Sequence, residues 1–185
     1  GTRYTATRAE ARQHKIRYLP EEPLRNACAP KMSVADNLAF KMFDVRRNGR
    51  PAFWCSRKDM ARNADRLIAE FNVKTTSPDA RIASLSGGNV QRAVLGRELT
   101  GEVNALIISN PCFGLDFGAV SAIRDRIIEA RNNGTAVLLI SEDLDEIMEL
   151  SDRILVMSEG RIAFETTAAA ADLTEIGQHM AGHAA

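Results

Sequence analysis

Polar and apolar positions alternate in short blocks along the chain. Thr5 to Lys15 is polar and predicts a short helix; Ile16 to Leu19 ("IRYL") predicts a strand that Pro20 stops. Glu21 to Lys31 carries Pro23 and Pro30 and has no period, so it is expected to be a loop. Within it Leu24, Ala27 and Ala29 are expected to be solvent-exposed, since the segment has no self-contained period. Ser33 and Asp36 have the spacing of a capping box for a helix through about Phe40, and Ser56 and Asp59 repeat it. After the second pair Met60, Ala64, Leu67, Ile68 and Phe71 recur at helical spacing, which predicts an amphipathic helix over Arg57 to Phe71. Polar loops are expected at Arg46 to Pro51, with Asn48-Gly49, and at "TTSPDA".

From Ala83 the pattern changes. "SLSGGNVQRAVLGREL" is a glycine-bearing turn that opens a helix. The apolar runs Ala105 to Ile108 and Ala136 to Ile140 flank a helix over Val120 to Asn132, with Val120, Ile123 and Ile127 on one side and Gly134 just past its end. Strand, helix and strand in one unit imply a parallel pair with a right-handed crossover. Leu144 to Leu150 predicts a short helix, "RILVM-SEG-RIAFE" a hairpin turning at Gly160, and Ala168 to Met180 a terminal helix. The fold class is α/β, with a mostly helical insert from about Ser33 to Ala80.

Composition narrows the picture. The 185 residues are enough for one domain, and 45% hydrophobic content excludes a disordered chain. Lys+Arg and Asp+Glu both total 24, so no global basic field points to nucleic acid. The longest apolar runs, such as "TAVLLI", are far too short to span a bilayer, and nothing at the start resembles a signal peptide. Cys28, Cys55 and Cys112 are scattered and odd in number, which fits a reducing cytosol and suggests neither a disulfide framework nor a zinc site. His179 and His183, four apart, have no carboxylate or cysteine at ligand spacing and are read as part of a solvated tail; no metal site is expected.

Two stretches carry candidate chemistry. In "LSGGNVQR" (Leu85 to Arg92), Ser86 is placed to cap the following helix. Gly87 and Gly88 let an anion approach backbone N–H groups at the positive helix end. Alone, the string also fits an ordinary glycine turn before a helix. In "ALIISNPCFGLD" (Ala105 to Asp116), a buried strand ends in Ser109 and Asn110, where a nucleotide-hydrolysing α/β protein commonly places acidic residues.

The order of "LSGGNVQR", a helix, an apolar strand, "P-x-x-G-L-D", "LLISEDLDE" and "SDRILVMSEGRI" resembles the ATP-binding domain of ABC transporters. It is most similar to the second nucleotide-binding half of the tandem ATPases that drive simple-sugar and nucleoside importers, over about Ile16 to Glu165. The resemblance implies a P-loop NTPase-like parallel sheet with a helical insert and a C-terminal hairpin. It implies ATP and Mg2+ as cofactors of the assembled protein. Partners would be another ABC half, permease subunits and, indirectly, a solute-binding protein, with no nucleic acid, at the cytoplasmic face of the inner or plasma membrane.

By that resemblance Leu85 to Gln91 is the signature motif, which closes over ATP held by the opposite half. Ser86, Gly87, Gly88, Asn89 and Gln91 would contact or support the γ-phosphate region. Asp116 in "FGLD" would be the D-loop aspartate that bridges the halves. Glu21 in "YLPEE" would stand at or beside the Q-loop glutamine, and the helical insert, with Glu21 to Lys31, would meet the membrane subunit.

Several positions depart from the family pattern. Ser109 and Asn110 replace the Walker B aspartate and glutamate, and neither a serine nor an asparagine supplies the charge for magnesium or a general base. Glu142 stands where the switch histidine is usual; Glu142 and Asp143 also suit the first turn of a helix, where acids complement its dipole. No glycine in the sequence is followed by lysine, so G-x-x-x-x-G-K-[ST] is absent. The chain is therefore expected to be the part of such a domain that follows the phosphate loop, and to be inactive alone. The transported solute is not readable, although "SEDLDE" and the degenerate Walker B lean towards nucleosides. Two other readings stay open: a cytosolic ABC ATPase without a membrane partner, and a scaffold that only docks a membrane subunit.

Overall fold

The computed structural model describes residues 4–42 and 56–181. The expected Arg46 to Pro51 loop, Cys55 and His183 lie outside them. The chain divides into two compact units, one through Ile140 and one from Ser141.

The first unit is built on a three-stranded parallel sheet. β1 (Ile16–Leu19), β2 (Ala105–Ser109) and β3 (Ala136–Ile140) lie in that order, with Ile16 opposite Ala105 and Ala105 opposite Ala136. β2 is central, and Leu106 and Ile108 are fully buried. The parallel β2–β3 pair requires a crossover, which α6 (Phe117–Asn132) supplies. α6 buries Ala119, Ile123 and Ile127. It closes on Gly134, whose φ of +93° suits glycine; the N–H groups of Gly134 and Thr135 bond back to Arg131 and Ala130. The strand, helix, strand expectation and its glycine stop hold.

α1 (Arg8–Gln13) is shorter than Thr5 to Lys15 because Thr7 caps it. The expected loop over Glu21 to Lys31 contains one helical turn, α2 (Pro23–Asn26), with Pro23 in the first turn, where its fixed φ and missing N–H cost nothing. Leu24, Ala27 and Ala29 are half-buried rather than exposed. Two side chains hold this segment. Arg97 Nη1 donates to Ala27 O at 2.9 Å, and Asn37 both accepts from Ala29 N at 2.8 Å and donates to Ala29 O at 3.2 Å.

α3 (Val34–Leu38) has the full capping box expected at Ser33 and Asp36. α4 (Arg57–Glu70) has only its forward half: Ser56 accepts from Asp59 N, while the Asp59 carboxylate faces Arg62. Ala64, Leu67 and Phe71 of the predicted stripe are buried, Met60 and Ile68 partly so. α5 (Gly87–Glu98) is sunk into the unit, with everything from Ala93 to Glu98 buried. A methyl group on Gly96 would lie 2.7 Å from the Phe71 ring, so α4 and α5 approach as closely as they do only because that position has no Cβ.

The second unit holds α7 (Leu144–Leu150), β4 (Arg153–Ser158), β5 (Arg161–Thr167) and α8 (Leu173–Met180). β4 and β5 form the expected hairpin. Glu159 and Gly160 both take positive φ, +51° and +78°, as a two-residue turn matched to strand twist requires. Ile154, Val156 and Ile176 form its core. The expected helix over Ala168 to Met180 is broken: a single 3-10 turn, Ala168–Ala170, precedes α8, and Asp172 caps α8 by accepting from Thr174 N and Glu175 N. The cue to that break is Asp172 with Glu175 three residues on, just past the alanine run. Among the described residues no helix is long and apolar enough to cross a membrane.

Candidate functional site

The N-terminal end of α5 is the centre of the candidate site. Ser86 stands in the N-cap position with extended backbone (φ −65°, ψ 157°) and is exposed. Its side chain does not cap the helix as the sequence suggests. Instead Ser86 Oγ accepts a hydrogen bond from Asn89 Nδ2 at 2.8 Å. The backbone N–H groups of Gly87 and Gly88 have no hydrogen-bond acceptor among the described residues, because the first turn of a helix leaves its donors unpaired. Unpaired N–H groups, an exposed hydroxyl and the positive helix end together suit a phosphate.

The two glycines differ. Gly87 is exposed, and a Cβ there would meet only Leu115 Cδ2 at 3.8 Å. Gly88 is buried, and a Cβ there would lie 3.0 Å from the Ala119 Cβ on α6. Gly88 therefore also sets the distance between α5 and α6. Gln91 is 4% exposed and donates from Nε2 to Pro111 O at 2.8 Å. Arg92 donates to Gly118 O at 3.2 Å and to Asn72 O at 3.4 Å. Asn89 Oδ1 accepts from Lys74 N at 2.7 Å. Apart from the glycine pair, the candidate end of α5 is thus tied on one side to the turn after β2 and on the other to the chain after α4.

That turn carries the next group. Ser109 closes β2. Asn110 follows in left-handed backbone, φ +44°, with its N–H donating to Ile140 O at 2.8 Å. Asn tolerates this conformation better than most residues. Asp116 is exposed and caps α6 by accepting from Ala119 N at 3.0 Å. Phe113 and Phe117, on either side of Asp116, are 79% and 95% exposed. Ser86 and Asn89 bond to each other and Gln91 to the turn after β2, while Gly87 and Gly88 face Leu115 of the stretch that ends at Asp116, all within the first unit. Glu21 is exposed at the end of β1, its carbonyl accepting from Asn26 Nδ2 at 2.6 Å, and has no bond to those residues.

Glu142 is in the second unit and is exposed. It does not enter the first turn of α7, as its sequence position suggests. Asp143 is the cap, accepting from Asp145 N and Glu146 N. The dipole-complementing acids are Asp145 and the buried Glu146, and Glu146 accepts from Ser141 Oγ at 2.6 Å. His179 stacks on Phe164, with ring centroids 4.5 Å apart.

Arg92 and Lys74 are partners of the site that the residue pattern does not announce. Arg92 was visible only as a charged residue in the helix-opening string. Lys74 contributes a backbone N–H, which no residue type reveals.

Comparisons with known proteins agree with this architecture. No family model matches the chain. It is 39% identical over 169 residues to the glucose import ATP-binding protein TsgD13 of Haloferax volcanii, covering 90% of this chain and 30% of that protein. It is 35% identical over 170 residues to the nucleoside import ATP-binding protein NupA of Lactococcus lactis, covering 92% and 33%. It is 43% identical over 124 residues to the guanosine import ATP-binding protein NupO of Bacillus subtilis, covering 67% and 24%. The chain thus spans a third or less of the length of these curated relatives. Among solved structures it resembles a dimeric ATP-binding cassette in a post-hydrolysis state bound to ADP and Pi, with a TM-score of 0.71, 17% identity, and coverage of 86% of this chain and 66% of that one. It also resembles the ATP-binding subunit of an ABC transporter, with a TM-score of 0.70, 21% identity, and coverage of 94% and 71%. The chain has the fold of an ATP-binding cassette, and by sequence it is similar to a segment of the ATP-binding proteins of sugar and nucleoside importers.

Proposed function

We propose that the chain serves as the second nucleotide-binding half of a tandem importer ATPase, presenting the N-terminal end of α5 to ATP held by the other half. The observation that carries this reading is the pair of unbonded N–H groups at Gly87 and Gly88 beside the exposed Ser86. Those groups fit the terminal phosphate of a nucleotide. Asp116, exposed beside them, meets the other half.

Magnesium does not fit this chain's own β2 end. Ser109 and Asn110 bring no carboxylate to hold it and no base to take a proton from water. Phosphate loop, metal ligands and base come from the other half, and the composite site formed with this chain's Ser109 and Asn110 is silent. ATP hydrolysis at the live site drives uptake of a nucleoside or simple sugar, with permease subunits on the helical insert and a solute-binding protein outside. The chain works at the cytoplasmic face of the membrane.

The test is Ser86→Ala in the full-length protein assembled with its permease. ATPase and uptake both fall if α5 completes the live site. Uptake at the unaltered level would show a scaffold that only docks the membrane subunit.

A further inference from the structure

Asn89 is held so that its side chain has one orientation. Lys74 N is a backbone donor, so the Asn89 atom it meets at 2.7 Å is the carbonyl oxygen, Oδ1. The amide nitrogen, Nδ2, therefore faces Ser86 Oγ at 2.8 Å, and it can only donate. A hydroxyl that accepts this bond keeps its own hydrogen for another acceptor, and Ser86 donates to nothing among the described residues. The exposed Ser86 stands next to the two unpaired N–H groups of Gly87 and Gly88. Three donors close together suit an acceptor-rich ligand.

We infer that Asn89 is a positioning residue: the chain Lys74 N–H to Asn89 to Ser86 fixes the Ser86 hydroxyl as a hydrogen-bond donor towards phosphate oxygen. Both polar ends of Asn89 are spent inside the protein, so it acts on a nucleotide through Ser86. The inference rests on the proposed role of α5. Asn89→Asp is the informative change. Its second oxygen accepts where Nδ2 donated, so the Ser86 hydroxyl turns inward to donate to it and the outward donor is lost.

Two measurements on the full-length protein assembled with its permease decide the matter. The first is a double-mutant cycle on ATPase with Ser86→Ala and Asn89→Asp. Asn89→Asp lowers turnover about 10²-fold, the scale for loss of one preorganised donor. In the Ser86→Ala background its effect is smaller by the part that passes through the hydroxyl, and what remains is the repulsion between the new carboxylate and phosphate. Losses that multiply independently would overturn the inference while leaving the role of α5 standing; unaltered turnover in Ser86→Ala alone would bring down the role of α5. The second readout needs no activity. In asparagine-labelled protein the Asn89 side-chain amide proton resonance shifts upfield in Ser86→Ala, and a resonance that stays in place shows that the bond is not made.

Discussion

Gln91 Nε2 donates to the carbonyl of Pro111 across 2.8 Å, a bond between α5 and the turn that follows the central strand. Both residues are buried. Gln91→Leu leaves the Pro111 carbonyl without this donor in a dry site, at a cost of about 1–3 kcal/mol. The expected fall in melting temperature is about 2–4 °C for each kcal/mol in a domain of this size. Thermal unfolding measures it, and an unchanged melting temperature would show that water replaces the amide.

Gly87 and Gly88 separate two kinds of damage. Gly88→Asp, the obvious probe from sequence, drives a Cβ into Ala119 at 3.0 Å and so injures packing as well as phosphate contact. Gly87→Asp has room, its Cβ being 3.8 Å from Leu115. We expect Gly87→Asp to unfold at nearly the normal temperature yet lower assembled ATPase by about 10²–10³, since a negative charge stands where phosphate binds. Gly88→Asp loses both. Full ATPase in a folded Gly87→Asp protein would remove α5 from the live site.

Arg97 and Asn37 clamp the segment Ala27 to Ala29, and Cys28 lies between the clamped residues. Burial pushes the Cys28 thiol up to about 11, against the opposing pull of Arg97. At pH 8 alkylation of Cys28 should run on the order of 10² slower than for a free cysteine, whose pKa is near 8.5. The sign for stability follows from the raised value: the folded chain holds the proton longer than the unfolded one. The contribution is whole below the unfolded pKa and is lost as pH rises towards about 11. Arg97→Met removes the cation that holds the thiol down, which by itself slows alkylation, so a faster rate, read by mass spectrometry against a Cys28→Ser control, reports release of the segment. A slower rate in Arg97→Met would show that Arg97 does not hold the loop. If the segment docks the permease, Cys28 cross-links to it in the assembled transporter, whereas a cross-link from the C-terminal hairpin alone would move the docking surface there.

The elements with clear period were legible in the sequence. β2, β3 and α6 appear where apolar spacing puts them, and the order of short motifs was enough for the fold. What stayed hidden has a common physical cause. α2 is a single four-residue turn, too short to show a repeat, and the alanine run before α8 masked a start that Asp172 and Glu175 mark by their capping spacing. At the site, residue types were visible but their partners were not: Gly88 faces Ala119, Ser86 is bonded by Asn89 rather than capping its helix, and Asn89 is oriented by a backbone N–H from Lys74. Contacts made by backbone atoms across the fold leave no mark on composition.

Asn110 offers the test of the silent site. It follows β2 in left-handed backbone, φ +44°, and its N–H is taken by Ile140 O. Asn110→Gln keeps an amide and adds no carboxylate, so it alters neither metal affinity nor base strength. Its cost is conformational, about 1 kcal/mol for a residue less suited to this region, and should appear as a small fall in melting temperature. ATPase and uptake of the assembled transporter should stay within about twofold, below the scale of a lost transition-state contact. Asn110→Gly, which accepts positive φ freely, should relieve the conformational part of the cost without changing turnover. If Asn110→Gln abolishes turnover while Gly87→Asp leaves it intact, the live and silent sites are exchanged.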